Sequence, residues 1–125
     1  MDAGDPDYPG FCRVILQRHA MEMTDLSPAE QRRLMEKVFS VEALVRKTLH
    51  PDKINLASLG NLVPHVHWHI IPRFATDAHF PAPIWTVPHR AAVAVDPAHV
   101  AELHRQIAAL DEGGYDFSFQ NRSLS

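Results

Sequence analysis

The chain has 125 residues, 46% hydrophobic and 22% charged, which excludes wholesale disorder and suits one domain with its own core. Lys plus Arg number 12 and Asp plus Glu 15, for a formal net charge of −3, so bulk electrostatic binding to nucleic acid or to an anionic membrane is not expected. The single cysteine, Cys12, permits no intrachain disulfide, no apolar run reaches membrane-spanning length, and a cytoplasmic location is expected.

Residues 1–10 are rich in Asp, Pro and Gly and read as an irregular lead-in. Cys12 to Gln17 is aliphatic and β-branched, which predicts a strand. Ser27-Pro28-Ala29-Glu30 is a helix start: an N-cap serine, proline at the first helical position, and a glutamate that completes a capping box. Apolar residues recur at Leu34, Val38, Val41, Val45 and Leu49 until Pro51 ends the pattern. This predicts a helix over 28–49, ~33 Å long at 1.5 Å per residue. Its stripe, widened by Met35, Phe39 and Leu44, is broader than a few short strands need, so a homodimer is expected.

Lys53 to Leu59 reads as a second strand, Gly60-Asn61 as a turn, and Val66 to Ile71 as a third strand closed by Pro72. The short connection predicts an antiparallel hairpin. Residues 72–88 hold four prolines and read as extended loop, and Ala91 to Val95 as a short edge strand or ordered coil. Asp96-Pro97 opens a second helix with the stripe Val100, Leu103, Ile107 and Leu110. Gly113-Gly114 ends it, and the tail from Tyr115 to Ser125 is expected to be loose. The reading is therefore α/β (α+β): an antiparallel sheet crossed by one long helix, over 1–95, followed by a C-terminal helix and tail over 96–125.

Three of the nine histidines fall within five residues: His65, His67 and His69. Side chains alternate across a strand, so the three share one face, while Val66, Trp68 and Ile70 take the other. Three readings compete. The row is a solvated polar face; or it holds zinc, copper or iron with a further ligand from Asp77, His79 or His89; or a neutral imidazole attacks phosphorus while its neighbours donate hydrogen bonds to phosphoryl oxygens. His19, His50, His99 and His104 have no companion at ligand spacing and read as surface residues.

The segment Gly60 to Arg73, with His65-Val66-His67-Trp68-His69-Ile70-Ile71 at its centre, resembles the signature of the histidine triad (HIT) nucleotide hydrolases and transferases, His-φ-His-φ-His-φ-φ with φ hydrophobic. Pro9 to Leu16 looks like that family's central strand, the capped helix falls where the family has its long helix, and the resemblance covers roughly residues 8–75. It implies a HIT-like fold and chemistry at the α-phosphorus of nucleoside phosphoramidates, dinucleoside polyphosphates or similar esters, through a covalent nucleotidyl-histidine. His67 matches the nucleophile. His69 would contact the phosphate and help protonate the leaving group, and His65 would orient His67. Asn61 stands where the family places an amide beside the phosphate, and Asn55 corresponds to an active-site Asn one strand earlier. The resemblance further implies a purine nucleotide partner, no metal, no cofactor, and two-fold pairing of subunits.

The chain departs from the pattern at Phe11, where many members carry a fourth histidine, and at Leu62, where a hydroxyl is usual. Against the resembled family, the N-terminal hairpin is expected to be short or missing here. Two alternatives follow: a nucleotide-binding or regulatory module with little turnover, and a metal-binding protein using the histidine row. No Ser, Cys or Lys lies between Gly60 and Pro72, so an imidazole is the nucleophile available there. Its ordinary pKa of about 6.5 predicts an acid limb near that pH.

Overall fold

The computed structural model describes residues 5–92 and 95–119. In chain order the elements are β1 (Cys12–Leu16), a one-turn 3-10 helix (Met23–Asp25), α1 (Pro28–Leu49), β2 (Lys53–Ala57), β3 (His67–Arg73), α2 (Pro97–Ala108) and β4 (Tyr115–Phe119). The strands form one sheet in the order β2-β3-β1-β4, antiparallel at every step. The α+β architecture is the one expected.

Helix α1 begins as its sequence dictates. Ser27 Oγ accepts from the Glu30 N–H at 3.2 Å, and Glu30 Oε1 accepts from the Ser27 N–H at 2.9 Å. It ends at His50, which turns into the left-handed region (φ 50°) ahead of Pro51. Leu34, Val38, Val41, Val45 and Leu49 are all buried. They lie in one core with Cys12, Val14 and Leu16 of β1, Ile70 of β3, Leu103 and Ile107 of α2, and Phe119 of β4. This corrects the argument for pairing made from the helix: the chain's own sheet and second helix cover the stripe, and only Phe39 of the widening residues stays exposed. At the start of β1, Gly10 has φ +90°, and a Cβ there would come within 2.5 Å of Leu49 Cδ1, so a side chain is excluded where strand and helix end meet.

The tail is a second correction. Tyr115–Phe119 is not loose but pairs with β1 along its whole length, Cys12 opposite Phe119 and Leu16 opposite Tyr115. Tyr115, Phe117 and Phe119 alternate with Asp116 and Ser118, the pattern of a strand with one apolar face. Residues 120–125 lie outside the described residues, as do 93 and 94, on which the expected edge strand at Ala91 to Val95 partly fell. His104 is another departure from a surface role: it is half-buried, with its ring stacked on Phe119 at 3.6 Å between centroids.

Strand β3 is buried on both faces. Trp68 and Ile70 face the helices. The opposite face, with His67, His69, Ile71 and Arg73, is roofed at its Arg73 end by residues 74–90, where Ile84 packs with Tyr8, Phe11 and Ile71. A buried polar hub pins that roof. Arg73 donates to Asp77 at 2.9 and 3.2 Å, to Asn55 Oδ1 at 2.8 Å and to the Ala82 carbonyl at 2.7 Å. The Asp77 carboxylate also accepts from the N–H groups of Phe74, His79 and Phe80 and from the Tyr8 hydroxyl. Burial pushes the Asp77 pKa up, but Arg73 and the three N–H groups outweigh it and hold the group at about 2.

Candidate active site

His65, His67 and His69 lie in sequence along one side of the sheet, and backbone groups set their rings. The His67 Nδ1–H donates to the His65 carbonyl at 2.6 Å. That leaves Nε2 as the nitrogen with the lone pair, buried and without a hydrogen-bond partner among the described residues. Ser58 Oγ donates to the His67 carbonyl at 2.7 Å and fixes the backbone from the other side. The His65 ring accepts from the Ala20 N–H through Nδ1 at 3.4 Å and donates through Nε2 to the Leu16 carbonyl, so it is tied to the end of β1. His19 has a companion, contrary to the expectation from spacing. It is exposed but stacks on His65, with centroids 5.4 Å apart and planes 13° from parallel.

His69 stands edge-on to His67, ring centroids 5.0 Å apart. It has no accessible surface, and neither ring nitrogen has a partner among the described residues. Phe11, at the position of the missing fourth histidine, packs against it at 5.5 Å, and Trp85 at 5.6 Å. Burial, then the His67 and Arg13 charges, lower the His69 pKa from 6.5 to about 3. Burial also lowers His67, together with Arg13 and His65 and against the bond to the His65 carbonyl. Both rings are therefore neutral at neutral pH. A neutral His67 suits a nucleophile, whereas a neutral His69 keeps one N–H as a hydrogen-bond donor and is a poor general acid in the unliganded site.

The two amides behave differently from the histidines. Asn61 is exposed in the β2–β3 loop, and its side chain makes no hydrogen bond among the described residues. Asn55 sits opposite Ile71 on the histidine face, but its Oδ1 is taken up by Arg73. Among the described residues no three His, Cys, Asp or Glu side chains converge as metal ligands do. Asp77 and His79 are instead engaged in the Arg73 hub, with His79 Nδ1 2.6 Å from the Tyr8 hydroxyl. Ser58 and Arg13 belong to the site as well, and no motif in the sequence marks them. Arg13 lies opposite His69 across the β1–β3 ladder, and its position in an aliphatic strand, out of phase with Cys12 and Val14, was the available signal.

A row of three imidazoles on an antiparallel α+β sheet, with the middle ring oriented by its neighbour's carbonyl, defines a histidine-triad protein. The HIT domain matches residues 2–76, and the chain belongs to that family. A histidine triad protein from Bradyrhizobium japonicum superposes with a TM-score of 0.64 at 30% identity, over 86% of this chain and 90% of that one. One from Sinorhizobium meliloti gives 0.66 at 26% identity, over 86% and 78%. Among curated proteins, the asymmetrical bis(5'-nucleosyl)-tetraphosphatase of Schizosaccharomyces pombe is 36% identical over 77 residues, 58% of this chain and 42% of that protein. The AP-4-A phosphorylase of Mycobacterium tuberculosis is 28% identical over 81 residues, 60% of this chain and 42% of that protein. The chain thus spans less than half the length of these curated relatives.

Proposed function

We propose that the chain is a nucleotide hydrolase or nucleotidyl transferase that works through a covalent nucleotidyl-His67. The observation that carries this reading is the His67 Nδ1–H bond to the His65 carbonyl, which leaves Nε2 unprotonated. The Nε2 lone pair forms a bond to the α-phosphorus of a purine nucleotide. The bond from phosphorus to the bridging oxygen breaks, and its electron pair leaves with the leaving group. Attack by water then releases the nucleoside monophosphate, and attack by inorganic phosphate releases the diphosphate. The names of the two curated relatives point to dinucleoside tetraphosphates as the substrate class, one by hydrolysis and one by phosphorolysis. Product analysis of diadenosine tetraphosphate turnover with and without phosphate separates the two fates. Quenching with labelled nucleotide under conditions that preserve phosphoramidates tests the intermediate. Label on a residue other than His67 would overturn the assignment.

A second reading is favoured by the burial of both His67 and His69: a nucleotide-binding module with little turnover. Steady nucleotide affinity with no product from any adenosine phosphoester or phosphoramidate would select it. We also propose a homodimer, now supported by the exposed Met21, Leu59, Leu62 and Val63 near the His65 end of the row rather than by the helix stripe. Light scattering at micromolar concentration should give about twice 14.1 kDa, and a mass near 14.1 kDa would refute it. The buried free thiol of Cys12, pushed up to about 12 by burial, fits a reducing, cytoplasmic setting.

A further inference from the structure

Arg13 occupies an unusual place. It is in the middle of β1, which has a neighbour on each side, opposite His69 of β3 and Ser118 of β4. Strand alternation sends Cys12 and Val14 into the main core and Arg13 to the histidine face. The side chain is half-buried, and among the described residues its Nε has no hydrogen-bond partner and no carboxylate pairs with it. The other arginine on this face, Arg73, is saturated by Asp77, Asn55 and Ala82. Across β3 from Arg13, the residue opposite His69 is Ala57, which leaves that side open. A half-buried guanidinium with an unpartnered Nε and no counter-ion still has donors to offer an anion.

We propose that Arg13 clamps the anionic leaving group, so that the site favours substrates whose leaving group is a polyphosphate over those whose leaving group is an amine. The inference rests on the nucleotidyl-transfer reading of the row. When His67 Nε2 bonds to the α-phosphorus, the breaking bond places its electron pair on the bridging oxygen of the β-phosphate. That oxygen stays anionic in the product and takes no proton. Arg13 can meet the charge as it develops, where a preorganised donor counts most. An amine leaving group must instead acquire a proton as the phosphorus–nitrogen bond breaks. The ring beside it, His69, is a poor donor because burial and the adjacent His67 and Arg13 keep it neutral. The same arginine thus helps one class of leaving group and withholds the proton the other class needs.

The test compares kcat/KM for diadenosine tetraphosphate and for an adenosine phosphoramidate in the wild type, Arg13→Gln and Arg13→Lys, alongside calorimetric binding of inorganic tripolyphosphate. For Arg13→Gln the loss on the tetraphosphate should be about 100-fold, at least tenfold greater than the loss on the phosphoramidate and mainly in kcat. Tripolyphosphate affinity should fall about tenfold, and Arg13→Lys should restore part of each loss. Equal losses on both substrates, or unchanged tripolyphosphate affinity, would overturn the proposal. If the wild type turns over neither substrate, the catalytic reading fails, and the tripolyphosphate measurement still decides the role of Arg13. Arg13→Lys keeps the charge and the stem, so it also decides the matter if the glutamine variant does not fold.

Discussion

Trp85 stands edge-on to His69, with ring centroids 5.6 Å apart and planes at 71°, and the same indole meets Phe11 at 6.5 Å. It closes the histidine row from the loop side while remaining 37% exposed itself. A substrate phosphate must share that space, so nucleotide binding should move the indole. Tryptophan emission should change on adding AMP to the wild type and change far less in Trp85→Phe, where Trp68 alone reports. An identical response in both proteins would show that Trp85 does not cover the path to the row.

His67→Ala should abolish turnover while nucleotide affinity stays within about tenfold, or 1.4 kcal/mol. His69→Ala should slow turnover by about 10²–10⁴. Single-turnover kinetics with both variants check this. Substantial product from His67→Ala would mean that another group carries the chemistry.

The acid limb of kcat/KM should lie clearly below pH 6.5, lower than an unperturbed histidine would give, because burial depresses His67. Stability should show the matching trend. His69 and His67 are harder to protonate in the folded chain than in the unfolded one, so the unfolded state takes up protons first. Stability is full above 6.5 and falls as the pH drops toward about 3, the His69 value, by about 1.4 kcal/mol per pH unit for a fully linked group. Denaturant unfolding across pH 7 to 4 measures the slope. His69→Asn should flatten it, and an unchanged slope would refute the linkage.

Asp77→Ala should cost about 3–5 kcal/mol, because it strands the buried Arg73 guanidinium. It should also loosen the loop that carries Trp85, since three loop or strand-end N–H groups lose their acceptor. Urea unfolding reads the first effect, and hydrogen exchange over residues 74–90 the second. A loss below 1 kcal/mol would show that the hub is dispensable.

What the sequence disclosed was whatever is written in local period. The capping box at Ser27, the stripe ending at Leu49 and the His-x-His-x-His alternation each need only a few neighbouring residues, and each lies where expected. β4 was legible by the same rule, since Tyr115, Phe117 and Phe119 alternate, but two glycines and its place near the end of the sequence masked it. Arg13 and Asp77 were not legible. Their meaning comes from register and from contacts made across the sheet and loop, as when Tyr8 meets His79 and Asn55 meets Arg73. Trp85 lies in the proline-rich stretch of the sequence, and only the folded chain sets it beside His69.

The pairing of β4 with β1 bears on the order in which the chain leaves the ribosome. β1, β2 and β3 emerge early and can already lay the histidine row in place. One full edge of β1 stays unpaired until residue 119 is free, because its partner is the last strand of the sheet. Throughout that interval the nascent protein presents an open ladder of N–H and carbonyl groups along that edge. A product terminated after Leu110 would keep the chemistry-bearing row and still be prone to pair with its neighbours on a polysome. For this molecule, aggregation during synthesis rather than loss of the site is the expected consequence of losing β4.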